Sequence, residues 1–120
     1  MEPVKSFTIK RSVWLRGERA QPSFLLRESD GKQCCIGIYL EACGIPRNDK
    51  VNKRSATSLA DLGVQVPRWL VGPIGIDTAP SFAARVLMQI NDETNVDLAD
   101  REREVTAGFA DVGITVTFEE

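Results

Sequence analysis

The stretch DGKQCCIGIYLEACG, Asp30–Gly44, constrains the chain most, because it joins a turn signal to a dense apolar run holding all three cysteines. A short apolar run fits either strand or helix. Here Ile36, Tyr39, Leu40 and Cys43 fall at i, i+3, i+4 and i+7, the spacing of one helical face. Glu41 and Ala42 are good helix formers. Gly44 stands where a left-handed C-terminal cap belongs, and Pro46 blocks continuation. The pattern predicts a helix over Cys34–Cys43, with cysteine as a small buried apolar residue.

Other roles for these thiols are poorly served by the sequence. A structural zinc site takes four Cys or His ligands, usually in spaced pairs, and this chain has no histidine. Cys34 and Cys35 are adjacent, whereas a redox pair favours a two-residue gap. We therefore expect no metal and no cofactor. An odd cysteine count with two adjacent suits a reducing compartment. The start of the chain lacks the apolar core of a signal peptide, and no run approaches the roughly 18–20 apolar residues that cross a bilayer. The expected location is cytoplasmic, without membrane contact.

The 120 residues predict a single domain spanning 1–120. Phe7–Val13 alternates loosely and reads as a first strand; Ser23–Arg27 reads as a second, turning at Asp30-Gly31 into a hairpin. Pro46–Ser58 is polar and basic and reads as an exposed loop, with Ser58 capping a short helix to Leu62. VPRWLVGPIG supports at most a helical turn around Trp69. Pro80 opens a helix over Ser81–Ile90 whose Phe82, Ala83, Val86, Leu87 and Ile90 form a broad apolar arc. Asp97, with Asp100 three residues on, caps a last helix with Leu98, Val105, Phe109 and Val112 inside and Arg101 and Arg103 outside. Ile114–Phe118 alternates strictly and is the clearest strand. The expected fold class is α+β, a small antiparallel or mixed sheet of about three or four strands covered by about three helices.

Two arginine–tryptophan neighbourhoods are the best binding candidates: Trp14, Arg16 and Arg19, and Arg68 with Trp69. Indole and guanidinium planes stack on nucleobases, and guanidinium forks onto phosphate. Facing each other, with Lys32 nearby, they would frame a nucleotide pocket. The alternative is that each tryptophan anchors the core edge while its arginine reaches outward. Asp92 and Glu93, with Asp49, could bind a cation or act as a base, although an Asn-Asp pair ending a helix more often bonds loop backbone. No phosphate-binding glycine loop occurs. DNA binding is not expected from a chain of pI about 5.2 without a recognised DNA-binding motif.

The net charge of −2 hides an asymmetry: residues 1–54 hold 11 Lys+Arg against 6 Asp+Glu, and residues 55–120 hold 4 against 11. An acidic half can attract basic protein surfaces. The outer face of the last helix (Asp97, Asp100, Glu102, Glu104) is the candidate partner-binding set.

The blocks RSVWLRGE, SFLLRESDGKQCCIGIYLEACG, WL, MQINDE and DREREVTAGFADVGITVTF together resemble a family of small proteins carried by tailed phages and prophages. Ile36 stands where leucine usually follows the cysteine doublet in that family. The resemblance implies a viral accessory protein in the bacterial cytoplasm. It also brings the leading expectation, a non-enzymatic counter-defence protein that binds a host defence protein or sequesters a signalling nucleotide. The alternatives are a small carboxylate-based enzyme or metal-dependent protein, and a phage accessory or regulatory protein with no immune target. A homodimer through a free edge of the terminal strand is also compatible with the sequence.

Overall fold

The computed structural model describes residues 3–16, 24–72, 80–93 and 96–120. Within them the chain forms β1 (Ser6–Lys10), a 3-10 turn (Arg11–Val13), α1 (Cys35–Ala42), α2 (Arg47–Lys50) and α3 (Ala56–Asp61). A second 3-10 turn (Arg68–Leu70), α4 (Phe82–Asp92), α5 (Leu98–Ala110) and β2 (Thr115–Glu119) follow.

The alternating C-terminal segment does form a strand, and it pairs with the N-terminal one in parallel, Phe7 opposite Val116 and Ile9 opposite Phe118. Phe7, Ile9 and Val116 face the core, while the hydroxyls of Thr8 and Thr117 meet at 2.9 Å on the outer face. The expected antiparallel or mixed sheet of three or four strands is thereby corrected: among the described residues the sheet is a parallel pair, one face of it exposed, accompanied by five α-helices. A parallel pair needs a long crossover; here the crossover is everything between Lys10 and Thr115.

Of the segment read as a second strand, Ser23 lies outside the described residues and the rest makes one isolated bridge, Leu26 with Val51, because its backbone partners are dispersed. Leu25 N–H donates to Lys53 O at 2.7 Å, Phe24 O accepts from Cys34 N–H at 3.0 Å, and Leu26 O accepts from Asn52 N–H at 2.8 Å. Asn52 then turns the chain away with φ of 56°, so no ladder propagates. The turn at Asp30-Gly31 forms without flanking strands. Arg27 N–H donates to Lys32 O at 2.8 Å, and the Arg27 guanidinium forks onto Asp30, drawing its carboxyl down to about 2.

Helix α1 lies within the predicted span, with Cys34 and Cys43 as its two caps, but it is buried all round rather than on one stripe: Cys35, Ile36, Gly37, Ile38, Tyr39 and Leu40 are all inside. Gly37 permits this. A Cβ there would fall 2.0 Å from Leu25 O, so only glycine lets the Leu25 backbone lie against the helix. Tyr39 joins Phe7, Phe109 and Trp69 in an aromatic cluster with ring centroids 4.9–5.8 Å apart.

Other expectations shift by a face or a turn. The polar stretch 46–58 contains α2 and a buried Lys50, and α3 starts behind Ser55 rather than Ser58. The Ser81 hydroxyl does cap α4, accepting from Ala84 N–H at 3.1 Å, but Phe82 and Val86 point outward and the buried residues are Ala84, Leu87 and Asn91. Asp97 precedes α5 without a side-chain capping bond, and Arg101, placed outside by the sequence reading, is buried beside Val105 and Phe109. No helix among the described residues is long and apolar enough to cross a membrane.

Replacing Gly37 with alanine should drive α1 off Leu25 and cost about 3 kcal/mol, the upper end for overpacking, because the clash is with backbone that cannot rotate away. Urea unfolding midpoints of the two proteins would measure it.

Candidate functional site

The polar interior is organised by Asn91, a fully buried side chain in the last turn of α4. Its Oδ1 accepts the Trp14 indole N–H at 2.7 Å and the Cys35 backbone N–H at 3.0 Å. Its Nδ2 donates to Leu15 O at 2.9 Å and to Asp92 Oδ1 at 3.1 Å. The backbone carbonyl of Asn91 accepts from Arg101 Nη1 at 2.6 Å, and Arg101 Nη2 donates to Glu93 O. Arg101 thus satisfies carbonyls that the end of α4 leaves unpaired. Burial, and the nearby charge of Arg16, lower its pKa. Asn91 bonds the backbone of remote segments, while Asp92 Oδ1 accepts from the Asn91 amide; Arg101, expected outside, stands four and eight residues before Val105 and Phe109, on their helical face.

The candidate nucleotide-binding residues are dispersed. Trp14 is 2% exposed, hydrogen-bonded to Asn91 and 5.4 Å from the Phe118 ring. Trp69 is partly buried, donates to the Tyr39 hydroxyl at 3.2 Å, and packs on Tyr39 and Phe109. Each indole is therefore a core anchor with its polar end satisfied. Arg16 lies over Trp14 with its guanidinium carbon 5.0 Å from the ring centroid, and donates to Arg11 O at 3.2 Å. Lys32 follows the Asp30 turn, Arg68 is exposed in the second 3-10 turn, and Arg19 lies outside the described residues.

Two of the three thiols are inside. Burial pushes Cys34 up to about 11 and Cys35 well above the ordinary thiol range, while Cys43 is partly exposed. Among the described residues no group of three or more Cys, Asp or Glu could hold a metal ion. Of the candidate carboxylates, Asp49 sits on α2, Asp92 ends α4 and Glu93 follows it.

Lys50 is the least anticipated residue. Its side chain is fully buried, with Nζ donating to Gln33 Oε1 at 2.6 Å and Gly37 O at 3.0 Å, and lying 3.6 Å from Glu41 Oε1. Burial lowers its pKa, opposed by Glu41. Nothing in RNDKVNKR marks it, since its partners are remote in sequence and one is a backbone carbonyl.

The partner-binding set divides across α5. Glu102 faces the 3-10 turn after β1, taking a two-pronged contact from Arg11 at 2.6 and 2.8 Å that holds its carboxyl below the usual range. Arg11, Ser12, Arg16, Asp97, Glu102 and Glu120 line an open cleft of about 800 Å3. Asp100 pairs with Arg103, and Asp97 and Glu104 are exposed.

Replacing Asn91 with alanine strands the Trp14 and Cys35 donors and the Leu15 carbonyl together. Leaving such buried groups unpaired costs about 1–3 kcal/mol each, so a loss of about 3 kcal/mol or more is expected, read from urea unfolding. The thiols give a pH dependence. Their folded pKa values lie above the unfolded one, so their contribution is intact below about pH 9 and declines as pH rises towards the folded value, about 11 for Cys34. A slope of about 1.4 kcal/mol per pH unit for each thiol should flatten when both are replaced by alanine, and only Cys43 should label rapidly in the native protein. Compared with protein-family models, curated proteins and solved structures, the chain has no match.

Proposed function

We propose that this chain is a non-enzymatic phage counter-defence protein that acts by docking on a bacterial defence protein. The observation that carries the docking mode is the commitment of both tryptophans to the core, Trp14 on Asn91 and Trp69 on Tyr39. That removes the stacking platforms on which a nucleotide pocket would depend. The exposed Asp97 and Glu104 and the half-buried Asp100 remain as the surface a basic protein would meet. The counter-defence setting rests on the phage-family resemblance. The buried ionisable groups fit a binder: Lys50 and Arg101 are occupied with backbone carbonyls, Gln33 and Glu41.

Affinity purification of the full chain from bacteria carrying an active defence system tests this, with native mass spectrometry and small-molecule extraction on one sample. A stoichiometric host protein is expected, lost about tenfold or more when Asp97, Asp100 and Glu104 become Asn, Asn and Gln. A co-purifying nucleotide without protein would instead favour sequestration. A growth defect of the gene deletion on a host without defences would favour a developmental role. The same spectra would report a homodimer.

A further inference from the structure

The groove between α4 and α5 is the strongest surface feature not absorbed above. A Cβ on Gly108 would lie 2.7 Å from Leu87 Cδ2, so the two helices meet closely there. Phe82, Ala83 and Val86 of α4 line the groove with Gly108, Asp111 and Val112, enclosing about 540 Å3 of largely apolar space. Phe82 is 71% exposed and Val86 37%. A large exposed aromatic beside an apolar depression is typical of an interaction site.

The charge beside this groove indicates its occupant. Asp97, Asp100, Glu104, Gly108 and Asp111 are spaced by three, four, four and three residues and form one stripe along α5. The stripe contains Gly108, so it borders the groove, whereas Glu102 lies on the opposite flank with Arg11. It extends about 21 Å, close to four helical turns. Arg103 is already paired with Asp100, which leaves the acids in excess. A second copy would bring a face of the same charge sign, and a nucleic acid would be repelled.

We infer that this groove receives an amphipathic helix of a protein partner, with an apolar anchor seated by Phe82 and Val86 and Lys or Arg residues along the acidic stripe. The inference deepens the docking function and rests on it.

The probe is a labelled helical peptide of about 18 residues built from Leu and Lys, with a Leu and Glu peptide as control, followed by fluorescence anisotropy on the full chain. The basic peptide should bind and the acidic one should not. Phe82→Ser should weaken binding about tenfold or more, and Glu104→Gln with Asp111→Asn should weaken it and flatten its salt dependence. These positions are exposed, so circular dichroism and melting temperature should stay unchanged. Equal binding of both peptides, no binding, or indifference to Phe82→Ser would overturn the groove assignment, as would Phe82-dependent self-association in sedimentation. A host protein whose capture survives Phe82→Ser would remove the groove and leave docking intact. Peptide binding with no host protein captured would do the reverse.

Discussion

The amide of Asn91 meets two parts of the chain that are remote in sequence, and its own neighbour. Through two atoms it fixes the strand-exit segment at Trp14 and Leu15, the first turn of α1 at Cys35, and its own neighbour Asp92. Both faces of an amide are used, the carbonyl as a double acceptor and the NH2 as a double donor, which is the full capacity of that side chain. In a buried site such a network is stabilising only when complete. Arg101 completes it by binding the carbonyls at the end of α4, so the position of Asn91 is set from α5 as well. A hydrophobic residue of similar size at 91 would pack, but it would position none of these segments.

This arrangement gives physical content to the sequence blocks behind the phage-family resemblance. Trp14 comes from RSVWLRGE, Cys35 from the cysteine block, Asn91 from MQINDE, and Arg101 from the first turn of DREREV. All four meet in one lattice. Residues that look like chemistry in a linear reading, a tryptophan beside arginine or a carboxamide beside carboxylates, are here the polar framework of a small core. A chain of 120 residues has limited apolar area, and satisfied polar contacts between distant segments help specify one packing.

The sequence revealed the elements whose signal is local. α1 was legible because periodicity, Gly44 and Pro46 agree, and β2 because Ile114, Val116 and Phe118 alternate. Strand direction was not legible, since alternation says which face is buried and nothing about the partner. Lys50 escaped because a buried lysine depends on Gln33 and Gly37 O, which no spacing rule connects. The outward turn of Phe82 and Val86 escaped because a broad apolar arc does not say which part of it the fold covers. The acidic set is visible as composition, but its division between an Arg11-bound Glu102 and the flank carrying Asp100 and Glu104 required the helix to be placed.

That division bears on how a surface can be open to a partner while the interior stays rigid. Glu102 ties α5 to the turn after β1 through Arg11, and Arg101 ties the same helix to the end of α4. Both attachments lie within the first turns of α5, so its N-terminal half is held from two sides. The acidic stripe therefore projects from a fixed rod, and beside the apolar groove the absent side chain of Gly108 lets the Leu87 side chain pack closely against α5. A preformed face of this kind loses little entropy on binding. In the proposed docking mode, the core residues that look most functional would act indirectly, by keeping α4 and α5 in register.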